Sequence, residues 1–203
     1  MRGPGVGWRS GRGVSTWPRG RKQTPVEIDR LGGRALKRIV FNEDEIATRV
    51  AALGGEITRA YDVERGLLVI GLLKGSFIFM ADLVRTIHLP VSVDFVVASS
   101  YGSGTESRGH IRLLYDPEAD IRDRDVLLVE DIVDSGNTLN WLIPQLEARH
   151  PRSLEVCALL HKHLATVDRG PRWVGFDAPP DFLVGYGLDY AEDYRHLPYI
   201  GSI

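Results

Sequence analysis

Residues 66–73, 126–129 and 154–160 are almost unbroken apolar runs, and residues 91–98 read as a further strand. Without alternation, such runs predict strands buried on both faces, as in a parallel sheet. Between them the spacing turns helical. Asn42-Glu-Asp-Glu reads as a helix start, with Asn42 as N-cap and the acids at the positive end of the dipole. Ile46, Val50 and Leu53 supply its stripe, and Gly54-Gly55 predicts its end. Phe77, Met80, Leu83 and Val84 predict a second helix; Leu139, Leu142, Ile143 and Leu146 predict a third over about 137–149. Residues 111–115 read as a return strand. Residues 172–176 and 182–188 read as edge strands, because the prolines of Asp177-Ala-Pro-Pro-Asp oppose a central position. Residues 198–203 carry no pattern. The alternation predicts an α/β fold, with an open, mostly parallel sheet flanked by helices.

The polar positions gather where strands end. After the run 126–129 come Glu130, Asp131 and Asp134, then Ser135-Gly136-Asn137-Thr138, then the third helix. Ligands of open α/β sheets bind outside the carboxyl ends of the strands. A small-residue turn opening a helix aims backbone N–H groups at an anion. A phosphate can sit on residues 135–138, with the acids facing ribose hydroxyls and Mg²⁺. The plainer alternative is an acidic turn in which Asp134 or Ser135 caps an ordinary helix. Lys74-Gly75-Ser76 repeats the geometry, with a cation for an anionic ligand and a glycine for close backbone approach. Residues 99–109 are too polar and glycine-rich to pack, and read either as a loose hairpin loop or as a lid. His161 and His163 share a strand face, but no third ligand follows at a useful spacing, so zinc is not expected.

Charge and composition narrow the rest. Residues 1–38 hold ten Arg or Lys against two acids, and the other 165 hold 15 against 25. The first 25 show no hydrophobic periodicity, which predicts a basic, disordered extension over 1–38 and a domain over 39–203. No apolar stretch approaches a bilayer span and no signal-peptide core is present, so the expected location is cytoplasmic. A single cysteine, Cys157, lies in an apolar run, and a buried inert thiol in a reducing compartment is expected.

Glu130-Asp-Ile-Val-Asp-Ser-Gly-Asn-Thr138 resembles the phosphoribosyl-diphosphate signature of type I phosphoribosyltransferases, in the form of the hypoxanthine-guanine branch. The resemblance runs in order over about residues 39–203, and Asn137, lysine in animal members, resembles bacterial ones. It implies the family core with a small C-terminal hood and a flexible lid loop. It implies a Mg²⁺-dependent enzyme of purine salvage that transfers 5-phosphoribosyl to hypoxanthine or guanine, without fixing the preference among these and xanthine. Asp134 is implied as the catalytic acid/base at purine N7. Glu130 and Asp131 are implied for the ribose hydroxyls and, with Asp189, for the metal. Ser135, Gly136, Asn137 and Thr138 would hold the 5-phosphate. Lys74, Gly75 and Arg195 would hold diphosphate, with a strained or cis peptide between Leu73 and Lys74. Ser100 and Tyr101 would form the lid. Lys162 would donate to the 6-oxo group, Phe182 would stack on the base, and Leu183 would offer backbone groups to its edge. The family implies a homodimer or homotetramer. A competing expectation is an RNA-binding regulator on the same fold, supported only by the basic residues 1–38 and opposed by the acidic body. A nucleotide phosphotransferase is disfavoured, since the glycine-lysine-serine/threonine phosphate loop is missing.

Overall fold

The computed structural model describes residues 30–101, 110–162 and 167–203. Arg34–Ile203 forms one compact unit, which includes residues 34–38 of the expected extension. The reason is pairing: Lys37 N–H donates to Ser202 O at 2.9 Å, and Arg38 opens the first strand. In chain order the elements are β1 (Arg38–Phe41), α1 (Glu43–Ala60), β2 (Leu67–Leu73), α2 (Phe77–Val84), β3 (Val91–Tyr101), β4 (His110–Tyr115), β5 (Asp125–Val133), α3 (Asn137–Glu147), β6 (Ser153–His161), β7 (Trp173–Asp177), β8 (Leu183–Val184) and β9 (Ile200–Ser202).

Six strands make the main sheet, in the order β4-β3-β2-β5-β6-β7. Every neighbouring pair from β3 to β7 is parallel, and β4 joins β3 antiparallel at the edge. The unbroken apolar runs are explained by the two faces. Leu67, Val69, Leu127 and Val129 pack into one core with α1 and α2; Leu68, Ile70, Val126 and Leu128 pack with Leu139, Leu142, Ile143 and Leu146 of α3. Each buried aliphatic side chain contributes about 1.5–3 kcal/mol, so these central strands are the firmest part of the molecule. Cys157 is buried here, and burial pushes its thiol pKa up, as expected of an inert group.

The start of α1 is as expected: Asn42 Oδ1 accepts the Glu45 N–H at 2.9 Å, and Glu45 Oε2 accepts the Asn42 N–H at 2.8 Å. Its end is not. The helix passes through Gly54-Gly55 to Ala60, and buried Ile57 continues the stripe. A Cβ on Gly54 would lie 2.0 Å from Thr86 Oγ1, so this glycine lets α1 press against the end of α2. The strand expected at 182–188 shrinks to β8, because Gly185, Tyr186 and Gly187 have φ of 99°, 50° and 102°, and no strand continues through such values. β8 joins β9 and β1 in a small antiparallel sheet, order β1-β9-β8, so the patternless tail supplies its central strand. No described helix is long and apolar enough to cross a membrane.

The strand order reverses between β2 and β5, which opens a crevice at their carboxyl ends. Lys74 follows β2, Asp134 follows β5 and Lys162 follows β6, so all three stand at that edge.

Candidate active site

β5 runs beyond the apolar stretch through Glu130 and Asp131 to Val133, and strand alternation sends successive side chains to opposite sides. Glu130 lines a hollow of about 80 Å³ with Asp134, Ser135, Gly136 and Thr138. Asp131 lines another of about 190 Å³ with Asp134, Lys162, Phe182, Leu183 and Asp189. Asp134 stands between the two. A larger hollow, about 480 Å³ between α1, α2 and Tyr186–Pro198, contains none of the expected residues, so chemistry rather than size marks the site.

The helix after the acids opens in the way an anion site requires. Its N-cap is Gly136, with φ 83°, rather than Asp134 or Ser135, and no side chain caps it. The first turn carries no acid. Asn137 N–H reaches Ser135 Oγ only at 3.4 Å. The positive end of α3 therefore opens on the smaller hollow with no capping side chain.

Of the two adjacent acids, Glu130 is buried and Asp131 half-buried. Glu130 is 8 % exposed, and its Oε2 has no hydrogen-bond partner. Burial, then the charge of Asp131, raises its pKa well above the carboxylate range. Burial likewise pushes Asp131 up to about 6, opposed by the N–H groups of Ile132 and Asp131 itself and by Arg195. An unpartnered buried acceptor costs about 1–3 kcal/mol, which a ribose hydroxyl or a cation would recover. Among the described residues, no three acidic, histidine or cysteine side chains converge as a cation cage. Mg²⁺ commonly takes one or two carboxylates and completes its shell with substrate oxygens and water. Asp131 and Asp189, which line one hollow, fit that use; Glu130, expected beside them, lines the hollow on the other side of the strand, because successive strand residues point to opposite faces.

At the crevice, the Leu73–Lys74 peptide is cis. A Cβ on Gly75 would lie 1.6 Å from Asp131 Oδ2, so the glycine admits the carboxylate. A Cβ on Gly187 would lie 2.1 Å from Gly75 O, which brings the C-terminal segment onto the same turn. Arg195 Nη1 donates to Gly187 O at 2.8 Å, and its Nη2 pairs with Asp189 Oδ1 at 2.8 Å. Lys74 Nζ pairs with Glu192 Oε2 at 3.0 Å.

On the other side of the hollow of about 190 Å³, Lys162 N–H donates to Val133 O at 2.9 Å, which fixes the residue beside β5. Its side chain is 16 % exposed, and Nζ lies 3.2 Å from Asp134 Oδ2. Phe182 is exposed, and its ring meets Tyr190 edge-on with centroids 5.6 Å apart. Ile203 N–H donates to Phe182 O at 3.1 Å, which makes Leu183 and Ser202 a non-hydrogen-bonded pair. The N–H and C=O of Leu183 therefore point away from β9, at the open edge of the small sheet.

The structure thus gathers Lys74, Gly75, Glu130, Asp131, Asp134–Thr138, Lys162, Phe182, Leu183, Asp189 and Arg195 around one crevice. Ser100 and Tyr101 end β3 and pair with Ile111 and His110 instead of lying in a loop, and residues 102–109 lie outside the described residues, as does His163. Sequence reasoning missed Gly187 and Glu192. The pair of glycines in Gly185-Tyr-Gly187 hints at the first; nothing in the sequence marks the second.

Residues 40–191 match the phosphoribosyl transferase domain family. A hypoxanthine-guanine phosphoribosyltransferase of Mycobacterium avium is 48% identical over 189 residues, covering 89% of this chain and 92% of that protein. A hypoxanthine phosphoribosyltransferase of Salmonella typhimurium is 49% identical over 167 residues, covering 81% and 94%. The crystal structure of a Bacillus anthracis hypoxanthine-guanine phosphoribosyltransferase, with HEPES in its active site, superposes with a TM-score of 0.79 at 42% identity, covering 83% of this chain and 99% of that one.

Proposed function

The chain belongs to the phosphoribosyl transferase family, and from that premise we propose that it acts in purine salvage, moving 5-phosphoribosyl from phosphoribosyl diphosphate to N9 of hypoxanthine or guanine. The products are IMP or GMP and diphosphate. The observation that carries the choice of base is the pair Asp134 and Lys162, 3.2 Å apart at a hollow shared with Phe182 and Leu183. A 6-oxopurine carries its oxygen and ring N7 side by side on one edge. Lys162 donates to the oxygen, and Asp134 accepts the proton of N7–H. Adenine would set its amino group against the ammonium, donor against donor, and a site that leaves buried donors unpaired rejects its ligand strongly. Phe182 stacks on the base face, and the Leu183 backbone meets the remaining edge.

In the transfer, the C1′–O bond to diphosphate breaks and its electron pair leaves with the diphosphate. The C1′–N9 bond forms from the N9 pair, and the N7 proton passes to the Asp134 carboxylate. Positive charge develops on the sugar carbon along the way. The amides of Ser135, Gly136, Asn137 and Thr138 hold the 5-phosphate, and Glu130 accepts from the ribose hydroxyls. Lys74 and Arg195 face the diphosphate across the Gly75 turn. Asp131 and Asp189 would hold Mg²⁺, which would supply positive charge to the leaving diphosphate. Phe77, Leu114 and Tyr115 leave apolar surface exposed, which supports assembly as a homodimer or homotetramer, measurable by light scattering.

The test is a spectrophotometric assay of the purified chain with phosphoribosyl diphosphate, Mg²⁺ and each purine in turn. Turnover with hypoxanthine or guanine and none with adenine is expected; silence with every 6-oxopurine overturns the reading.

A further inference from the structure

The turn after Asp189 carries a carboxylate for which the transfer itself has no use. Asp189 Oδ2 accepts the Glu192 N–H at 2.9 Å, and Ala191 and Glu192 take φ of 52° and 65°. Neither residue is a glycine or asparagine, so this backbone is uncommon and specific. It aims the Glu192 side chain at two cations. Its Oε2 lies 3.0 Å from Lys74 Nζ and 3.4 Å from Arg195 Nη2. A carboxylate oxygen and a phosphate oxygen attract the same ammonium and guanidinium donors. Lys74 and Glu192 are free to part, with side chains 65% and 67% exposed, whereas Arg195 is 19% exposed and is also held by Asp189 and Gly187 O.

We propose that Glu192 stands in for diphosphate, occupying Lys74 and Arg195 in the free enzyme and competing with the diphosphate end of the donor and with the released product. The inference rests on the transferase reading. Glu192 bridges the two cations through one oxygen while the site waits, and it returns to them as diphosphate departs. It thereby loosens a product that two cations and a metal would otherwise hold.

Calorimetric titration of Mg²⁺-diphosphate into the full chain tests this. Exposed ion pairs are weak, so Glu192→Gln should tighten diphosphate by about 2- to 5-fold. The KM for phosphoribosyl diphosphate should fall in step, and product inhibition by diphosphate should strengthen. The gain should vanish in the Lys74→Ala background, as a double-mutant cycle reads it. Glu192→Gly, which suits the left-handed backbone, must give the same tightening and guards against a folding artefact of the amide. Unchanged or weaker diphosphate binding in both variants, with wild-type thermal unfolding, overturns the inference; weaker binding would make Glu192 a support for Lys74 instead. Should the wild-type chain neither transfer phosphoribosyl nor bind diphosphate, the transferase reading falls as well. Wild-type turnover with indifferent Glu192 variants sinks this inference alone.

Discussion

One half of the site stands on β5 and α3, between strands paired on both sides and packed on both faces. The other half stands on residues 183–197, where two residues are strand and the rest are turns, isolated bridges and irregular chain. Within that segment Gly185, Tyr186, Gly187, Ala191, Glu192 and Tyr194 all have positive φ. The first half is placed by burial, to which dozens of contacts contribute. The second is placed by a handful of directed contacts: Gly187 against Gly75 O, Arg195 on Gly187 O, Tyr186 on Asp82, and Arg34 on Asp193 and over the Tyr194 ring. Substitution on the sheet side should therefore change chemistry at constant stability, whereas substitution on the turn side should move geometry.

The sharpest form of that contrast is Asp134→Asn. Its side chain is 66% exposed, so the thermal midpoint should stay put. The amide cannot take the N7 proton, and kcat should drop by about 10²–10⁴. Wild-type turnover in this variant would remove Asp134 from the chemistry. Gly187→Ala is the counterpart on the turn side. Its methyl would meet Gly75 O at 2.1 Å with φ at 102°, so the segment must lift from the Lys74-Gly75 turn. A displacement near 1 Å costs about 10² in rate, and here kcat and the KM for phosphoribosyl diphosphate should change together. An unaltered KM would mean that the segment does not depend on that contact.

How far each half could be read from the chain follows the same divide. The runs 66–73 and 126–129 had to be apolar throughout because both faces of β2 and β5 are covered. The acids and the small-residue turn had to sit at the strand end, so the phosphate side was legible. Positions on the turn side are set by φ values that Tyr186, Ala191 and Glu192 adopt without any compositional cue. β1 and β9 are too short to show a period, and they pair with each other across more than 150 residues of chain. Gly54-Gly55 misled because glycine serves helix ends and close helix contacts alike, and only the position of Thr86 distinguishes the two.

Lys162 belongs to neither half, since it follows a buried strand but answers to the base. Lys162→Ala removes a charged donor to the 6-oxo group, and such bonds are worth about 1.5–3 kcal/mol. The KM for hypoxanthine should rise by about 10- to 100-fold while that for phosphoribosyl diphosphate holds, and the bias against adenine should shrink. An unchanged base preference would exclude Lys162 from recognition.

The smallest expected effect tests whether the turn segment is pinned contact by contact. Tyr186 Oη donates to Asp82 Oδ2 at 2.6 Å, and burial, then that carboxylate, raises the hydroxyl pKa so that it remains a donor. Tyr186 N–H is separately bound to Leu197 O at 2.9 Å, and the ring is buried. Tyr186→Phe removes one directed contact and keeps the ring, so unfolding free energy should fall by about 1 kcal/mol. Because Gly187 and Arg195 still hold the segment on the Lys74-Gly75 turn, the KM for phosphoribosyl diphosphate should move by less than about 2-fold. A loss as large as that of Gly187→Ala would show that α2, through Asp82, sets the height of this segment, and that the glycine contact follows from it.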